Sequence, residues 1–153
     1  YSDIYTESFT ATCMTVYWFG MLGSRLLSMA LADKVTPRRF ITIGSAVGVA
    51  AQLLGLLGNT HTLWLITCLL LGLCTGGIYP LTFSISIAYF PQSSARITSL
   101  LSIISSIGGI LLSLFMGKLA ELSMFAAMFV PLVCLLIVFL LIRFRFSDEP
   151  KEA

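Results

Sequence analysis

Five runs of apolar side chains, at about 8–32, 40–58, 63–90, 97–117 and 124–142, take up most of the sequence, and the joints between them are short and polar. A helix rises about 1.5 Å per residue, so roughly twenty residues cross a hydrocarbon core about 30 Å thick. Every run is long enough. The runs are continuously apolar and lack the period-two alternation of a half-buried strand. Strands in lipid would also have to close into a barrel to satisfy their backbones. The expected fold class is therefore all-α: a polytopic membrane protein with five transmembrane helices in a lipid bilayer. Composition agrees. Of 153 residues, 58% are hydrophobic and 10% charged, whereas a soluble domain carries about 25% charged residues. The net charge is only +2 and the basic residues are scattered among apolar runs, so nucleic acid is not an expected partner.

The four cysteines, Cys13, Cys68, Cys74 and Cys134, each lie inside an apolar run, and no two have CxxC spacing. They read as reduced thiols serving as small hydrophobes. His61 stands in a short polar turn and reads as a solvated loop residue. No metal site and no cofactor are expected. The motifs HExxH and GxSxG are missing, and no paired carboxylates lie within the runs, so no enzymatic activity is expected.

The joints are DKVTPRR, NTHT, PQSSAR and KLAELS, followed by the tail RFRFSDEPKEA. Alternating sides places Lys34, Arg38, Arg39, Arg96, Arg143, Arg145 and Lys151 on one face and Lys118 on the other. Cationic loops are retained in the cytoplasm. The expected orientation puts the first and third joints and the C-terminus in the cytoplasm and the N-terminus outside. The opening YSDIYTES has neither a basic segment ahead of an apolar core nor a small-residue cleavage site. An external start without such a signal suggests the C-terminal portion of a longer protein. A complete five-helix protein is the rival reading.

Helices in lipid associate through close backbone approach and a few polar contacts. Gly44, Gly48, Ala51 and Gly55 form one small-residue stripe, Gly72 and Gly76 another, and Gly108 with Gly109 a third; all three are expected at tight helix contacts. Trp64, at the outer end of the third run, reads as an interfacial anchor. In GGIYPL (76–81), Gly76, Gly77 and Pro80 interrupt the third run. Proline removes a backbone hydrogen bond and clashes with the preceding turn. Such breaks are tolerated at membrane depth where they face protein or a watery cavity, so a bend is expected here.

Arg25 lies nine residues before Lys34, hence about 13 Å from that end of the helix and near mid-bilayer. A guanidinium so deep is costly unless it meets a partner, water or a ligand, or snorkels to the interface. It is the leading candidate for contact with an anionic or hydroxylated solute. Tyr17, Trp18, Gln52, Tyr79, Thr82 and Phe83 are further candidates: Trp18 and Tyr79 as stacking platforms, the others as hydrogen-bonding or packing groups.

MALADKVTPRRF (29–40) resembles the cytoplasmic signature loop of the major facilitator superfamily. Asp33 matches the family's acidic residue, Lys34 its basic neighbour, and Arg38 and Arg39 the closing basic pair. The resemblance implies a conformational gating loop, whose carboxylate pairs with cations and helix N-terminal N–H groups. Met29 replaces the family's leading glycine, Thr36 its turn glycine, and Pro37 stands where a basic residue is common. Such a degenerate copy fits the second half of these transporters, so the five spans look like helices eight to twelve. On that reading residues 1–146 are a partial C-terminal transmembrane bundle and residues 147–153 a cytoplasmic tail, with the N-terminal half of the transporter as the missing partner. YWFGMLGSRLL (17–27) and GLCTGGIYPLTFSISIAYFP (72–91) look like helices of the fucose-permease-like sugar branch. The implied activity is secondary transport of a small solute, a sugar or related polar molecule, by alternating access in the cell membrane, with protons as a candidate coupling ion. The alternative is a non-transporting membrane subunit that binds partner helices.

Overall fold

The computed structural model describes residues 7–31, 34–58 and 60–145. Among the described residues the chain is helical throughout, without strands: α1 (Glu7–Ala30), α2 (Pro37–Leu57), α3 (His61–Thr75), α4 (Ile78–Tyr89), a 3-10 turn (Pro91–Ser93), α5 (Ser94–Leu122) and α6 (Met124–Arg145). Four stretches are both long and apolar enough to cross a bilayer: Pro37–Leu57, His61–Tyr89, Pro91–Leu122 and Phe125–Phe144. At 24 residues, α1 is also long enough, but Glu7, Arg25 and several Thr and Ser residues dilute its hydropathy. Some of those hydroxyls are satisfied within the helix. Thr12 Oγ1 donates to the Ser8 carbonyl and Thr15 Oγ1 to the Ala11 carbonyl, each at 2.9 Å.

The helices overrun the apolar runs because a helix needs no lipid to continue. Thr36 is the N-cap of α2, with extended backbone, and Pro37 opens the helix where no N–H partner is needed. Thr36 Oγ1 accepts from the Arg39 N–H at 3.5 Å. This accounts for threonine and proline in the DKVTPRR joint: the turn uses a cap rather than a left-handed residue. The joint KLAELS is helical as far as Leu122.

The chain forms two compact units, Tyr1–Ile78 with Pro131–Ala153, and Tyr79–Val130. In the first unit α3 packs against both α1 and α2. Among the described residues no glycine has a positive φ, so the glycines here serve close approach, not turning. A β-carbon on Gly72 would run into the Tyr17 carbonyl and stand 3.1 Å from the Gly20 Cα. One on Gly76 would stand 2.6 Å from the Met21 carbonyl oxygen. A different face of α3 meets α2. Gly44 abuts the Cys74 carbonyl, Gly55 abuts the Thr67 side chain, and Thr67 Oγ1 donates to the Ala51 carbonyl at 3.4 Å. Leu135 of α6 closes over Gly48. The buried residues Ile41, Ala51, Cys74, Leu132 and Leu135 belong to this unit. The first two glycine stripes therefore lie at tight contacts.

The second unit holds α4, the 3-10 turn, α5 and the start of α6. Neither α4 nor α5 contains a buried residue. Among the described residues of this unit, a β-carbon on Gly108 or Gly109 would meet nothing within 4 Å, so the tight contact expected there is not found within it. Spacing alone marks a helix face; it does not supply the neighbour. Trp64 also departs from expectation. Its ring nitrogen is buried and makes no hydrogen bond among the described residues, whereas an interfacial tryptophan turns that N–H toward water.

Candidate functional site

Two helices make up the third span, and at the joint Gly76 keeps helical dihedrals and donates its N–H to the Gly72 carbonyl at 3.0 Å. α3 ends at Thr75, Gly76 and Gly77 form a turn, and α4 resumes at Ile78. Fifteen residues of α3 precede the turn and twelve of α4 follow it. Pro80, in the first turn of α4, has no N–H to offer the Gly76 carbonyl.

One face of α1, spaced for a helix at Tyr17, Met21 and Ser24, lies along α3 up to this turn. The Tyr17 hydroxyl lies 3.2 Å from Thr75 Oγ1. Thr75 spends its own proton on the Leu71 carbonyl at 2.8 Å, so Tyr17 is the donor between the two hydroxyls. The Met21 backbone lies against Gly76. Ser24 is fully buried, and its Oγ would lie 3.2 Å from a β-carbon on Gly77, beside the Phe40 ring. Ser24 Oγ has no hydrogen-bond partner among the described residues.

Arg25 sits next to this row. Its guanidinium reaches the Met21 sulfur at 3.9 Å, and thioether sulfur is a weak acceptor. The side chain is otherwise exposed. The structure thus sets Met21 against Gly76 and Ser24 against Gly77, with Tyr17 one turn earlier on α1 and the exposed Arg25 beside Met21 on the same helix. Trp18 is 56% exposed and meets Tyr17 edge-on at 6.1 Å between ring centroids. Gln52 is buried in α2, on the stripe with Gly48 and Gly55. Tyr79, Thr82 and Phe83 lie on α4 in the second unit, where the Tyr79 and Phe83 rings are 4.6 Å apart. Sequence reasoning missed Met21, Ser24 and Thr75. The spacing 17, 21, 24 carried the signal for the α1 pair, but methionine and serine are too ordinary in membrane helices to single out.

Within the DKVTPRR joint, Lys34 is exposed and its N–H bonds the Leu31 carbonyl at 2.9 Å. Asp33 lies outside the described residues, as does the tail 147–153. Arg38 and Arg39, in the first turn of α2, line a hollow of about 300 Å³ together with Thr36, Thr42, Ile43 and Arg143 of α6. The start of α2 and the end of α6 therefore lie at the same end of the first unit, as charge alternation requires of the first joint and the C-terminal end.

No curated protein and no solved structure matches the chain. The family model described as Major Facilitator Superfamily matches residues 3–153. The apolar helices, the interrupted span and the basic joint accord with that match, and the chain belongs to the major facilitator superfamily of integral membrane transporters.

Proposed function

We propose that the chain contributes the C-terminal bundle of a secondary transporter that carries a small polar solute, a sugar or a related molecule, by alternating access. The observation that carries this reading is the placement of Arg25 beside Met21, which lies against the Gly76–Gly77 interruption. A cation, a row of hydroxyls and a broken helix then share one neighbourhood within the membrane-spanning part. Such breaks expose backbone polar groups to a central site in transporters. A hydroxylated solute takes hydrogen bonds from the Arg25 guanidinium and exchanges one with the Tyr17 hydroxyl. Within the first unit Trp18 supplies an aromatic face for a sugar ring, and Gln52, buried in α2, is a polar packing residue; Tyr79, Thr82 and Phe83 are separate candidates for solute contact on α4, taken by itself. The loop Asp33, Lys34, Arg38 and Arg39 acts as the cytoplasmic gate. A matching N-terminal half completes the cavity, the cell membrane is the site of action, and protons are the candidate coupling ion.

The test is Arg25→Ala in the full gene product, with uptake of radiolabelled sugars measured in cells and surface expression checked in parallel. Uptake falls at least tenfold while the protein still reaches the membrane. Unchanged KM and maximal rate would remove Arg25 from the solute path and the proposed site with it.

A further inference from the structure

The hollow at the shared end of α2 and α6 is separate from the row along α1 and does not depend on which solute is carried. Three guanidinium-bearing residues on two helices converge on it: Arg38, Arg39 and Arg143. No carboxylate is among its described lining residues. Like charges brought together from different helices repel, and an anion held between them offsets that repulsion by attracting each. The hydroxyls are arranged asymmetrically. Thr42 Oγ1 donates its proton to the Arg38 carbonyl at 2.8 Å, so it has none to give. Thr36 Oγ1 accepts from the Arg39 N–H, which leaves its own proton available to an acceptor in the hollow. Arg38 has a partner of its own within the protein. Arg39 and Arg143 are exposed and carry the site.

We infer that this hollow binds a phosphate-bearing anion, gripped by the Arg39 and Arg143 guanidiniums and by the Thr36 hydroxyl. Guanidinium suits phosphate because its planar fork donates two parallel hydrogen bonds. Two sources share this chemistry: the headgroup of an anionic phospholipid in the adjacent leaflet, and a free phosphate. The internal rivals are the carboxylates of Asp33 and of the tail, which would fill the hollow from the chain itself.

The experiment uses the full gene product purified in an uncharged detergent. Thermal stability is followed against increasing dihexanoyl phosphatidic acid, inorganic phosphate, and dihexanoyl phosphatidylcholine as a zwitterionic control. The variants are Arg39→Gln with Arg143→Gln, Arg39→Lys with Arg143→Lys, and Arg96→Gln as a basic residue elsewhere. The expected result is a saturable upward shift with phosphatidic acid that weakens at least tenfold in the glutamine pair. The lysine pair weakens it less, because charge survives but the fork is lost. Arg96→Gln leaves it unchanged. An equal response to inorganic phosphate identifies a free-anion site, and a response to phosphatidic acid alone identifies a lipid site. Binding that is equal in the wild type and the glutamine pair, that falls equally in Arg96→Gln, or that is absent for both anionic probes overturns the proposal. Size-exclusion profiles of all variants report folding independently.

Discussion

Gly20 of α1 and Gly72 of α3 face each other so closely that a β-carbon added to either would stand 3.1–3.2 Å from the other's Cα. The nearest obstacles are backbone atoms, the Leu69 carbonyl for Gly20 and the Tyr17 carbonyl for Gly72. Backbone cannot rotate away as a side-chain tip can. Gly72→Ala therefore has to push the two helices apart, and overpacking of this kind costs about 1–3 kcal/mol. Gly108→Ala meets open space within its unit and removes a poor helix former, which favours the helix by up to about 1 kcal/mol. Unfolding of the two variants in a denaturing detergent titration should move in opposite directions. A neutral Gly72→Ala would mean that α1 and α3 do not pack in this register.

Tyr17, three residues before Gly20 on α1, and Thr75, three residues after Gly72 on α3, join the same two helices at 3.2 Å. Interhelical hydrogen bonds in membranes average about 0.6 kcal/mol, because the unfolded helix in lipid also finds partners. A double-mutant cycle with Tyr17→Phe and Thr75→Val isolates that coupling from the loss of packing. The expected coupling is favourable and on the order of 0.5–1.5 kcal/mol. A coupling of zero would leave the two hydroxyls as neighbours without a bond.

How much of this was legible in the sequence follows from what each residue needs. The helices were legible because lipid forces a backbone to satisfy itself, so long apolar runs allow little else. The sequence marked residues 76–81 through Pro80, which carries a fixed backbone defect; the structure has a two-residue turn there at Gly76 and Gly77, with Gly76 still helical. Gly72 and Gly76 were legible as contact residues, yet Gly108 and Gly109, with the same chemistry, face open space within their unit. A glycine permits close approach but does not name its neighbour. Arg25 announced itself through the cost of its charge. Ser24 did not, because a hydroxyl that usually bonds its own helix gives no sign in the sequence that it is buried without a partner. The clustering of Arg143 with Arg38 and Arg39 joins positions about a hundred residues apart in sequence. Alternation places them on one side, but only packing places them around one hollow.

The thiols of Cys13 on α1 and Cys68 on α3 are neighbours, and all four cysteines are free. Nothing in their spacing suggests a pair, since they lie 55 residues apart (68 − 13). Copper phenanthroline with oxygen removes two electrons and two protons from such a pair and joins the sulfurs. The expected result is an intramolecular disulfide: after denaturation, polyethylene-glycol maleimide labels two fewer cysteines than the four present. Cys13→Ser restores labelling of Cys68. Full labelling of the oxidised wild type would separate α1 from α3 at this level.

Pro80 tests whether the interruption serves transport or only packing. Pro80→Ala supplies an N–H that can reach the Gly76 carbonyl, one turn back, and so favours a continuous helix through residues 76–80. In a water-exposed helix the exchange gains up to about 3 kcal/mol; here the gain comes at the expense of the bend. If the break opens the central site, the variant inserts and purifies at least as well as the wild type but takes up solute several-fold more slowly. Arg25→Ala should produce the same phenotype without the gain in stability, because it removes a ligand-facing charge and leaves the backbone alone. Comparing the two in one uptake and unfolding series separates backbone from charge. Pro80→Ala with normal uptake would make the interruption a packing device, and Arg25 would then have to carry the functional reading by itself.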